Sequence, residues 1–217
     1  MTTPAFVGLV LAAGSGTRFG GGKVRALLAG RPVVGHVLAA SRADGLARIV
    51  LVLGRDDIAV RAALLAGDPA ALDGVLVAVN GAPERGLASS LRLGLAAATA
   101  APAPLGVLVL LGDQPRVRPD VIASVLAAAI DAPPGTRAVA PAYESDDAPN
   151  PVLLLPSAWS LGAGLEGDRG VGPLLALRPD LVVRVPAAGS NPDVDTRQDL
   201  ADLADLAAAA AIEEAHP

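Results

Sequence analysis

Short apolar segments alternate with amphipathic segments along residues 1–131. The apolar segments have the length of strands and are apolar on both faces, which is typical of strands buried inside a parallel sheet. They predict strands over residues 6–11, 48–53, 75–79 and 106–111. The segments between them carry apolar residues at helical spacing and predict helices over residues 32–43, 57–65, 89–98 and 120–130. Because strands that alternate with helices form right-handed βαβ units, the pattern predicts an α/β fold with three layers, α/β/α, around a mostly parallel, Rossmann-like sheet.

The pattern becomes less regular after residue 132. Strands are predicted over residues 137–142, 151–155 and 181–185, with a helical turn around Trp159 and a helix over residues 171–177. We interpret residues 132–195 as an irregular insertion that covers the carboxyl ends of the strands. The sequence contains no clear linker, internal repeat or domain boundary, so one domain is expected over residues 1–217.

A closing helix is predicted over residues 196–211. Thr196 and Asp199 have the spacing of a capping box, in which each side chain binds the backbone N–H of the other residue. Leu200, Leu203 and Ala207 recur at helical spacing and are expected to form the apolar stripe of this helix.

The composition excludes several classes of function. The chain has 217 residues, of which 52% are hydrophobic and 2% aromatic, and a net charge of −5. The absence of cysteine excludes disulfides, thiolate nucleophiles and cysteine metal sites. An acidic chain with few aromatic residues lacks the basic stripe and the stacking side chains of a nucleic-acid-binding protein. His36 and His216 are far apart in the sequence and form no Ser-His-Asp arrangement.

The amino-terminal segment lacks the basic region and the long apolar stretch of a signal peptide. No apolar run approaches the roughly 18 residues of a membrane-spanning helix. A cytoplasmic protein without a membrane partner is therefore expected.

A glycine-rich loop follows the first predicted strand and ends on Lys23. This residue is the only lysine among 17 basic residues, and a lysine ammonium is a compact charge that suits a phosphate. We therefore hypothesise that the loop holds a nucleoside triphosphate. A Rossmann loop does not fit, because its third glycine is replaced by Phe19 and the acidic residue about 20 positions further on is missing. A P-loop does not fit either, because Thr17 stands where its first glycine is needed and Val24 follows the lysine.

The loop instead has the pattern LAAG-x-G-x-R-x-G-x-x-K, which resembles the signature of a nucleotidyltransferase superfamily. That superfamily includes the molybdenum-cofactor guanylyl- and cytidylyltransferases and the sugar-phosphate uridylyltransferases. The pattern is met without a gap at Leu11, Ala12, Ala13, Gly14, Gly16, Arg18, Gly20 and Lys23. Small residues let backbone N–H groups approach phosphate oxygens, while Arg18 and Lys23 neutralise the charge of a triphosphate. The alternative, a tight turn with surface charges, explains the glycines but not the position of the only lysine.

Two carboxylates are candidate metal ligands. Asp113, in the sequence Gly-Asp-Gln-Pro, directly follows the fourth strand, where open α/β sheets bind ligands and a carboxylate can hold Mg²⁺ against phosphate oxygens. The alternative is a turn-forming aspartate. The resemblance implies that Asp113 is a metal ligand and catalytic. The sequence Gly-Asp-Gln-Pro is closer to the motif of the cytidylyltransferase branch than to that of the guanylyltransferase branch. The segment DVDTRQDL resembles the closing DIDTPxDL motif of the family, with Arg197 in place of proline, and makes Asp195 a second candidate ligand. The alternative is that the acidic residues complement the dipole of the closing helix.

The remaining site residues follow from the same resemblance. It implies that Asn80, Gly86 and Ser90 help to hold the base and ribose, whereas Ser89 is expected to cap the third helix. The irregular half of the chain would receive the acceptor substrate, with Asn150, Pro151, Gly167 and Asp168 as candidate contacts. The alternatives are that Gly167 only forms a turn and that Asp168 caps a following helix.

The resemblance extends from Val7 to Leu203 and implies a molybdenum-cofactor cytidylyltransferase-like enzyme with a nucleotidyltransferase fold. Molybdopterin phosphate would attack the α-phosphate of CTP in the presence of Mg²⁺, and the product would serve a molybdenum hydroxylase, which together with its chaperone is a candidate partner. Such a reaction needs alignment and charge neutralisation rather than a general base. Three alternatives stay open: transfer of another nucleotide such as GMP or transfer to a sugar phosphate, an NAD(P)H-dependent enzyme like nicotine blue oxidoreductase, and a nucleotide-binding regulator without turnover. The missing Rossmann pattern argues against the oxidoreductase.

Overall fold

The computed structural model describes residues 5–42, 45–100, 102–145, 149–163, 165–168, 170, 172 and 178–214. The strands are β1 (Phe6–Ala12), β2 (Leu27–Leu28), β3 (Arg31–Pro32), β4 (Leu46–Leu53), β5 (Val75–Val79), β6 (Val107–Leu111), β7 (Ala138–Tyr143), β8 (Val152–Leu154) and β9 (Val182–Ala187). The helices are α1 (Val33–Ala40), α2 (Asp57–Gly67), α3 (Leu87–Thr99), α4 (Pro119–Ile130), α5 (Trp159–Ala163) and α6 (Arg197–Glu214). None of the helices in these ranges is long and apolar enough to cross a membrane.

Seven strands form one sheet in the order β5-β4-β1-β6-β8-β7-β9. β1 pairs in parallel with β4 on one side and β6 on the other, and β4 pairs in parallel with β5. β8 runs antiparallel to both β6 and β7, and β9 is parallel to β7. The predicted α/β fold with a mostly parallel sheet is therefore confirmed, and the strands after residue 132 extend the same sheet.

The strand order reverses beside β1. The chain passes from β1 outward to β4 and β5, and then returns across β1 to form β6. Such a reversal leaves a crevice between the carboxyl ends of the two strands that flank it, and ligands bind there in open α/β sheets. The segments after β1 and β6, which contain the glycine-rich loop and Asp113, lie at this crevice.

Both faces of the sheet are buried, which explains why the strands are apolar throughout. Alternate residues of β1 point to opposite sides: Val10 joins a core with α1, α2 and α4, whereas Leu9 joins a second core with α3. Trp159 of α5 packs on that second core. The helices thus form layers on both faces of the sheet, as the alternating sequence pattern predicts.

A third, smaller core lies outside the sheet. It contains Phe19 of the glycine-rich loop, Leu28 and Val33 of the β2–β3 hairpin and its following helix, Val194, and Leu203 of α6. The hairpin was not apparent in the sequence pattern because each of its strands has only two residues. His36 is a structural residue in this region, with Nε2 at 2.8 Å from the carbonyl oxygen of Leu28.

The closing helix and its cap were predicted correctly. Thr196 Oγ1 accepts a hydrogen bond from the Asp199 N–H at 3.2 Å, and Asp199 Oδ2 accepts one from the Thr196 N–H at 2.7 Å. Leu203 is buried and Leu200 packs on the third core, but Ala207 is exposed, so its predicted place in the stripe was wrong. The helix predicted over residues 171–177 lies, apart from Gly172, outside the described residues.

Candidate active site

The glycine-rich loop folds back on itself through Gly16. Its carbonyl oxygen accepts hydrogen bonds from the N–H groups of Phe19 and Gly21, both at 3.0 Å. Gly16 has a φ of 58°, and a Cβ added there would lie 3.0 Å from the Cβ of Lys23. A glycine is therefore required both by the left-handed conformation and by the close packing of the loop against Lys23.

Gly14 is a glycine for a different reason. Its φ is not in the left-handed region, and a Cβ added there would meet no protein atom within 4 Å. Nothing in the packing of the described residues requires glycine here, yet Gly14 lines a cleft of about 540 Å³. No backbone carbonyl in the described ranges accepts from the N–H groups of Gly14, Ser15 or Gly16. This part of the loop has open space and free donors, which is the arrangement that a phosphate or nucleobase requires.

Phe19, which breaks the Rossmann pattern, anchors the loop. Its side chain is 3% exposed and packs in the third core with Val194, which is fully buried. Arg18 directly precedes Phe19 in the chain, and Asp195 directly follows Val194. The small core therefore positions one charged side chain on each wall of the cleft.

Lys23 lies between the two candidate metal ligands. Its Nζ donates to Asp113 Oδ2 at 2.6 Å and to Asp195 Oδ1 at 3.1 Å. Arg18 Nη1 approaches the other oxygen of Asp195 at 2.8 Å. The Lys23 side chain is 10% exposed and that of Arg18 is 75% exposed, so Lys23 is the inner cation and Arg18 the outer one. Burial alone lowers the pKa of the Lys23 ammonium, but the charges and hydrogen bonds of Asp113 and Asp195 outweigh burial and raise the pKa above its usual 10.5.

Backbone contacts fix Asp113 in place. The N–H of Gly112 donates to the carbonyl of Leu11 at 2.8 Å, and a Cβ added to Gly112 would lie 2.7 Å from that of Ala12. Gly112 thus lets the end of β6 pass close to the end of β1. The N–H of Val194 donates to the carbonyl of Asp113 at 2.8 Å, which ties the segment with Asp195 to the end of β6.

The two carboxylates suit a divalent cation that arrives with a nucleotide. Asp113 and Asp195 already share one cationic atom, the Lys23 Nζ, and Mg²⁺ prefers oxygen ligands of this kind. In the described part of the chain, no group of three or more His, Cys, Asp or Glu side chains could hold a metal by itself. Magnesium in nucleotide sites is usually held by one or two carboxylates together with substrate phosphates, so this donor set fits Mg²⁺.

A buried amide network supports the carboxylates, and the sequence did not reveal it. Gln114, which is 2% exposed, donates from Nε2 to the carbonyl of Asn191 at 3.2 Å, and Asn191 Nδ2 donates back to Gln114 Oε1 at 3.3 Å. Asn191 Nδ2 also donates to the carbonyl of Asn150 at 3.2 Å. Gln114 therefore links the end of β6 to the segment before Asp195 and to the predicted acceptor side.

Asp193 also lines the cleft, although from the sequence it was only one of the acidic residues that could complement the dipole of the closing helix. The Asp193 side chain remains accessible to water, but the walls of the cleft remove part of its hydration shell. This partial loss of hydration is the main reason why the pKa of its carboxyl is raised. The charge of Asp113 raises that pKa further, whereas a hydrogen bond from Gln114 opposes the shift. In the sequence, Asp193 could have been recognised as a site residue from its position two residues before Asp195.

The start of α3 has a structural polar cluster. Asn80, which is 7% exposed, donates from Nδ2 to Ser89 Oγ at 2.8 Å and to Ser90 Oγ at 2.9 Å. The expected capping role of Ser89 was wrong, because Gly86 occupies the N-cap position and the Ser89 hydroxyl donates to the Gly86 carbonyl at 2.8 Å. Ser90 lines the cleft, whereas Asn80 supports it from behind.

The predicted acceptor side contacts the same helix. The Gly167 carbonyl accepts from the Ala88 N–H at 3.0 Å, and a Cβ added to Gly86 would lie 2.3 Å from the Gly167 carbonyl. Gly86 also has a φ of 83°, so a glycine is needed there. This contact brings Asp168 to the cleft. The helix that Asp168 was alternatively expected to cap lies almost entirely outside the described residues.

The cleft that these segments enclose has a volume of about 540 Å³. The predicted residues that line it are Leu11, Ala13, Gly14, Gly16, Arg18, Lys23, Gly86, Ser90, Asp113, Asp168 and Asp195. Asn150 lines an adjoining pocket of about 190 Å³. Ala12, Asn80, Pro151 and Gly167 line neither space. The structure thus brings most of the predicted residues to one cleft from five separate parts of the chain.

Comparison with known proteins gives the family context. The model of the MobA-like NTP transferase domain matches residues 8–184. The 2-C-methyl-D-erythritol 4-phosphate cytidylyltransferase of Cereibacter sphaeroides is 42% identical over 142 residues, which cover 64% of this chain and 59% of that protein. The chain therefore spans less than two thirds of the length of this curated relative.

Solved structures resemble the chain over nearly its whole length. Rv0371c from Mycobacterium tuberculosis H37Rv is 35% identical with a TM-score of 0.78, and the match covers 94% of this chain and all of that one. A complex of Rv0371c with manganese is 31% identical with a TM-score of 0.72, covering 93% of this chain and 98% of that one.

Proposed function

The chain belongs to the family of MobA-like NTP transferase domains, and we propose that it transfers the CMP group of CTP to the phosphate of molybdopterin. The observation that carries this proposal is the position of the Lys23 ammonium, between Asp113 and Asp195 and beside a loop with free N–H donors. These groups neutralise and align phosphates, which is the main requirement of nucleotidyl transfer.

The reaction needs no proton transfer by the protein. An oxygen of the acceptor phosphate forms a bond to the α-phosphorus of the nucleotide. The bond from that phosphorus to the bridging oxygen breaks, and pyrophosphate leaves with the electron pair. Because the attacking phosphate is already ionised, a general base is unnecessary, in keeping with a described cleft lining that contains neither histidine nor cysteine. Lys23 and Arg18 would orient the triphosphate and stabilise the charge on the leaving pyrophosphate.

The charges of the cleft support a divalent cation as a partner of the nucleotide. Its described lining contains five carboxylates and two cations: Glu84, Asp113, Asp168, Asp193, Asp195, Arg18 and Lys23. A free triphosphate would be repelled by this excess of negative charge. Asp113 and Asp195 would hold Mg²⁺, which when bound neutralises charge on the phosphate oxygens. The manganese complex of Rv0371c agrees with a divalent metal in a related protein.

Two observations favour CTP as the nucleotide. The motif around Asp113, Gly-Asp-Gln-Pro, resembles that of the cytidylyltransferase branch. The Cereibacter sphaeroides relative is also a cytidylyltransferase. Molybdopterin is proposed as the acceptor because of the motifs that the chain shares with the molybdenum-cofactor enzymes. The same relative supports a second candidate acceptor, 2-C-methyl-D-erythritol 4-phosphate.

Pyrophosphate release tests the proposal. The protein is mixed with Mg²⁺, one of CTP, GTP, UTP or ATP, and either molybdopterin or 2-C-methyl-D-erythritol 4-phosphate, and the product is identified by mass spectrometry. We expect pyrophosphate and a cytosine dinucleotide with CTP and molybdopterin. Nucleotide binding without pyrophosphate in any combination would overturn the transferase, and oxidation of NADPH with a dye acceptor would favour the oxidoreductase instead.

A further inference from the structure

The sheet ends on one side in β5, whose outer edge has no partner in the described part of the chain. β5 pairs in parallel with β4 and with no other described strand. The N–H of Asn80, directly after β5, donates to the Leu53 carbonyl of β4 at 2.8 Å. Because the polar groups of successive strand residues point to opposite sides, Val77 and Val79 direct their N–H and carbonyl groups away from β4. The outer edge therefore presents backbone donors and acceptors that another strand can use.

The opposite edge strand of the described sheet, β9, is protected against such pairing. It carries an exposed arginine, Arg184, and an exposed proline, Pro186. Charged side chains and prolines keep the edge of a sheet from pairing with another chain. β5 has the sequence Val-Leu-Val-Ala-Val and contains neither. The contrast between the two edges indicates that β5 is an edge that another chain covers.

Exposed apolar side chains surround β5. Leu76 and Val79 of β5 are 50% and 44% exposed, and Ile58 and Leu65 of α2 are 80% and 43% exposed. Ile58 and Leu65 are seven positions apart and so lie on one face of α2, whereas Leu64 faces the core. Since α2 connects β4 to β5, it lies over these two strands. We call β5, together with Ile58 and Leu65, the open edge.

We propose that the open edge pairs with the open edge of a second copy of this chain, with β5 antiparallel to β5 about a two-fold axis at Ala78. A two-fold axis lets one surface contact itself and makes the two strands antiparallel. With Ala78 opposite Ala78, Val77 of each chain lies opposite Val79 of the other. These are the residues whose polar groups point outward, so each such pair exchanges two hydrogen bonds. This assembly goes beyond the proposed function and does not depend on it.

The side chains of β5 suit this register. Leu76 and Ala78 lie on the same face of the strand, because side chains alternate with a period of two. The small side chain of Ala78 leaves room at the axis, and Leu76 of each chain reaches diagonally toward Ala78 of the other. The exposed leucine is thereby removed from water in both copies.

The charges at the two ends of β5 favour a second copy over an unrelated peptide. The exposed Asp73 lies just before the strand, and the exposed Arg85 lies shortly after it. Arg55, which follows β4 at the same end of the sheet, pairs with Glu84 at 3.0 Å, so Arg85 leaves this end with an excess of positive charge. An antiparallel pair places the acidic end of each strand beside the basic end of the other, where the opposite charges attract. The edge is thus complementary to itself in charge as well as in hydrogen bonding.

A disulfide tests the proposed axis directly, because the native chain contains no cysteine. Opposite residues that exchange no hydrogen bonds have Cα atoms about 4.5 Å apart, which suits a disulfide. Ala78→Cys should therefore form a cross-linked dimer on mild oxidation, seen at twice the chain mass on a non-reducing gel. Leu105→Cys, at a position that is 41% exposed and outside the open edge, is the matched control and should stay unlinked. Cross-linking of both variants to the same extent, or of neither, would overturn the proposal.

Analytical ultracentrifugation measures the assembly without a cross-link and also covers the case in which Ala78→Cys does not fold. We expect the native chain to form a dimer that dissociates on dilution. Leu76→Lys, which places a charge beside the axis, should raise the dissociation constant by about 10-fold or more. Ile130→Lys, which replaces an apolar side chain that is 71% exposed on α4, should leave it unchanged. Circular dichroism shows that each variant is folded.

Two results of the ultracentrifugation would contradict the assembly. One is a native chain that is monomeric at every concentration, whether its open edge then binds a different peptide or stays in water. The other is a dimer that Leu76→Lys leaves intact, since such a dimer must use another surface of the chain.

Discussion

Lys23→Met is the substitution that tests the site most directly. It removes the ammonium and keeps an unbranched apolar side chain of similar length. In the native protein this ammonium contacts Asp113 at 2.6 Å and Asp195 at 3.1 Å, with 10% of the side chain exposed. The variant therefore leaves two carboxylates close together without their shared cation.

The effect on stability should be moderate. Removing one partner of a fully buried ion pair costs about 3–5 kcal/mol. Here the side chains of Asp113 and Asp195 are 25% and 31% exposed, and Arg18 still contacts Asp195 at 2.8 Å. Because water and Arg18 compensate part of the loss, we expect a decrease of about 1–2 kcal/mol in the free energy of unfolding at pH 7.

The decrease should depend on pH in a defined direction. The raised pKa of Lys23 means that its contribution is fully present below pH 10.5 and is lost as the pH rises through the higher folded value. The difference in stability between the native protein and the variant should thus be constant from about pH 6 to 9 and shrink as the pH rises above 10.5.

Urea unfolding monitored by circular dichroism measures this difference at pH 7, 9 and 11, and pyrophosphate release measures turnover. We expect turnover to fall by about 10²-fold or more, as for loss of one transition-state charge donor. Arg25→Met, which removes an exposed cation two positions along the chain, is the matched control and should change neither property. Near-native turnover in Lys23→Met, or a stability difference that grows as the pH rises above 10.5, would refute this account of the site.

Three further variants test other parts of the structure. Asp113→Asn should abolish metal-dependent turnover with an unchanged far-ultraviolet spectrum, and unchanged activation by Mg²⁺ would contradict its role as a ligand. Gly14→Ala should weaken binding of CTP with Mg²⁺ by about 10-fold without loss of thermal stability, whereas Gly81→Ala, which is also unstrained and meets no protein atom within 4 Å, should affect neither. Asp199→Ala should destabilise the protein by about 1 kcal/mol at pH 7 through loss of the cap. Because two backbone N–H groups lower the pKa of Asp199, its contribution exists above pH 3.8 and disappears as the pH falls below that value, so urea unfolding at pH 3 should show a smaller difference.

The local features of the fold could be predicted from the sequence because each depends on a few neighbouring residues. Buried strands can be recognised in the sequence as apolar runs. The capping box of α6 can be recognised from the spacing of Thr196 and Asp199 alone. The glycine-rich loop was recognisable because its glycines and its lysine are adjacent in the chain. Errors occurred where a local signal was ambiguous: Ser89 resembled an N-cap, but Gly86 is the N-cap and the helix begins at Leu87.

The sequence by itself determined which residue types are available for the chemistry: one lysine, a loop of glycines and several aspartates. Only the tertiary structure decided which of these residues meet. Asp195 is 172 residues from Lys23 in the chain. Its contact with Lys23 depends on the return of the chain beside β1 and on the hydrogen bond that the Val194 N–H donates to the Asp113 carbonyl. The anchoring role of Phe19 and the amide network of Gln114 and Asn191 had no signal in the sequence pattern. Their roles come from packing between segments distant in the chain, and periodicity reports only on neighbours along it.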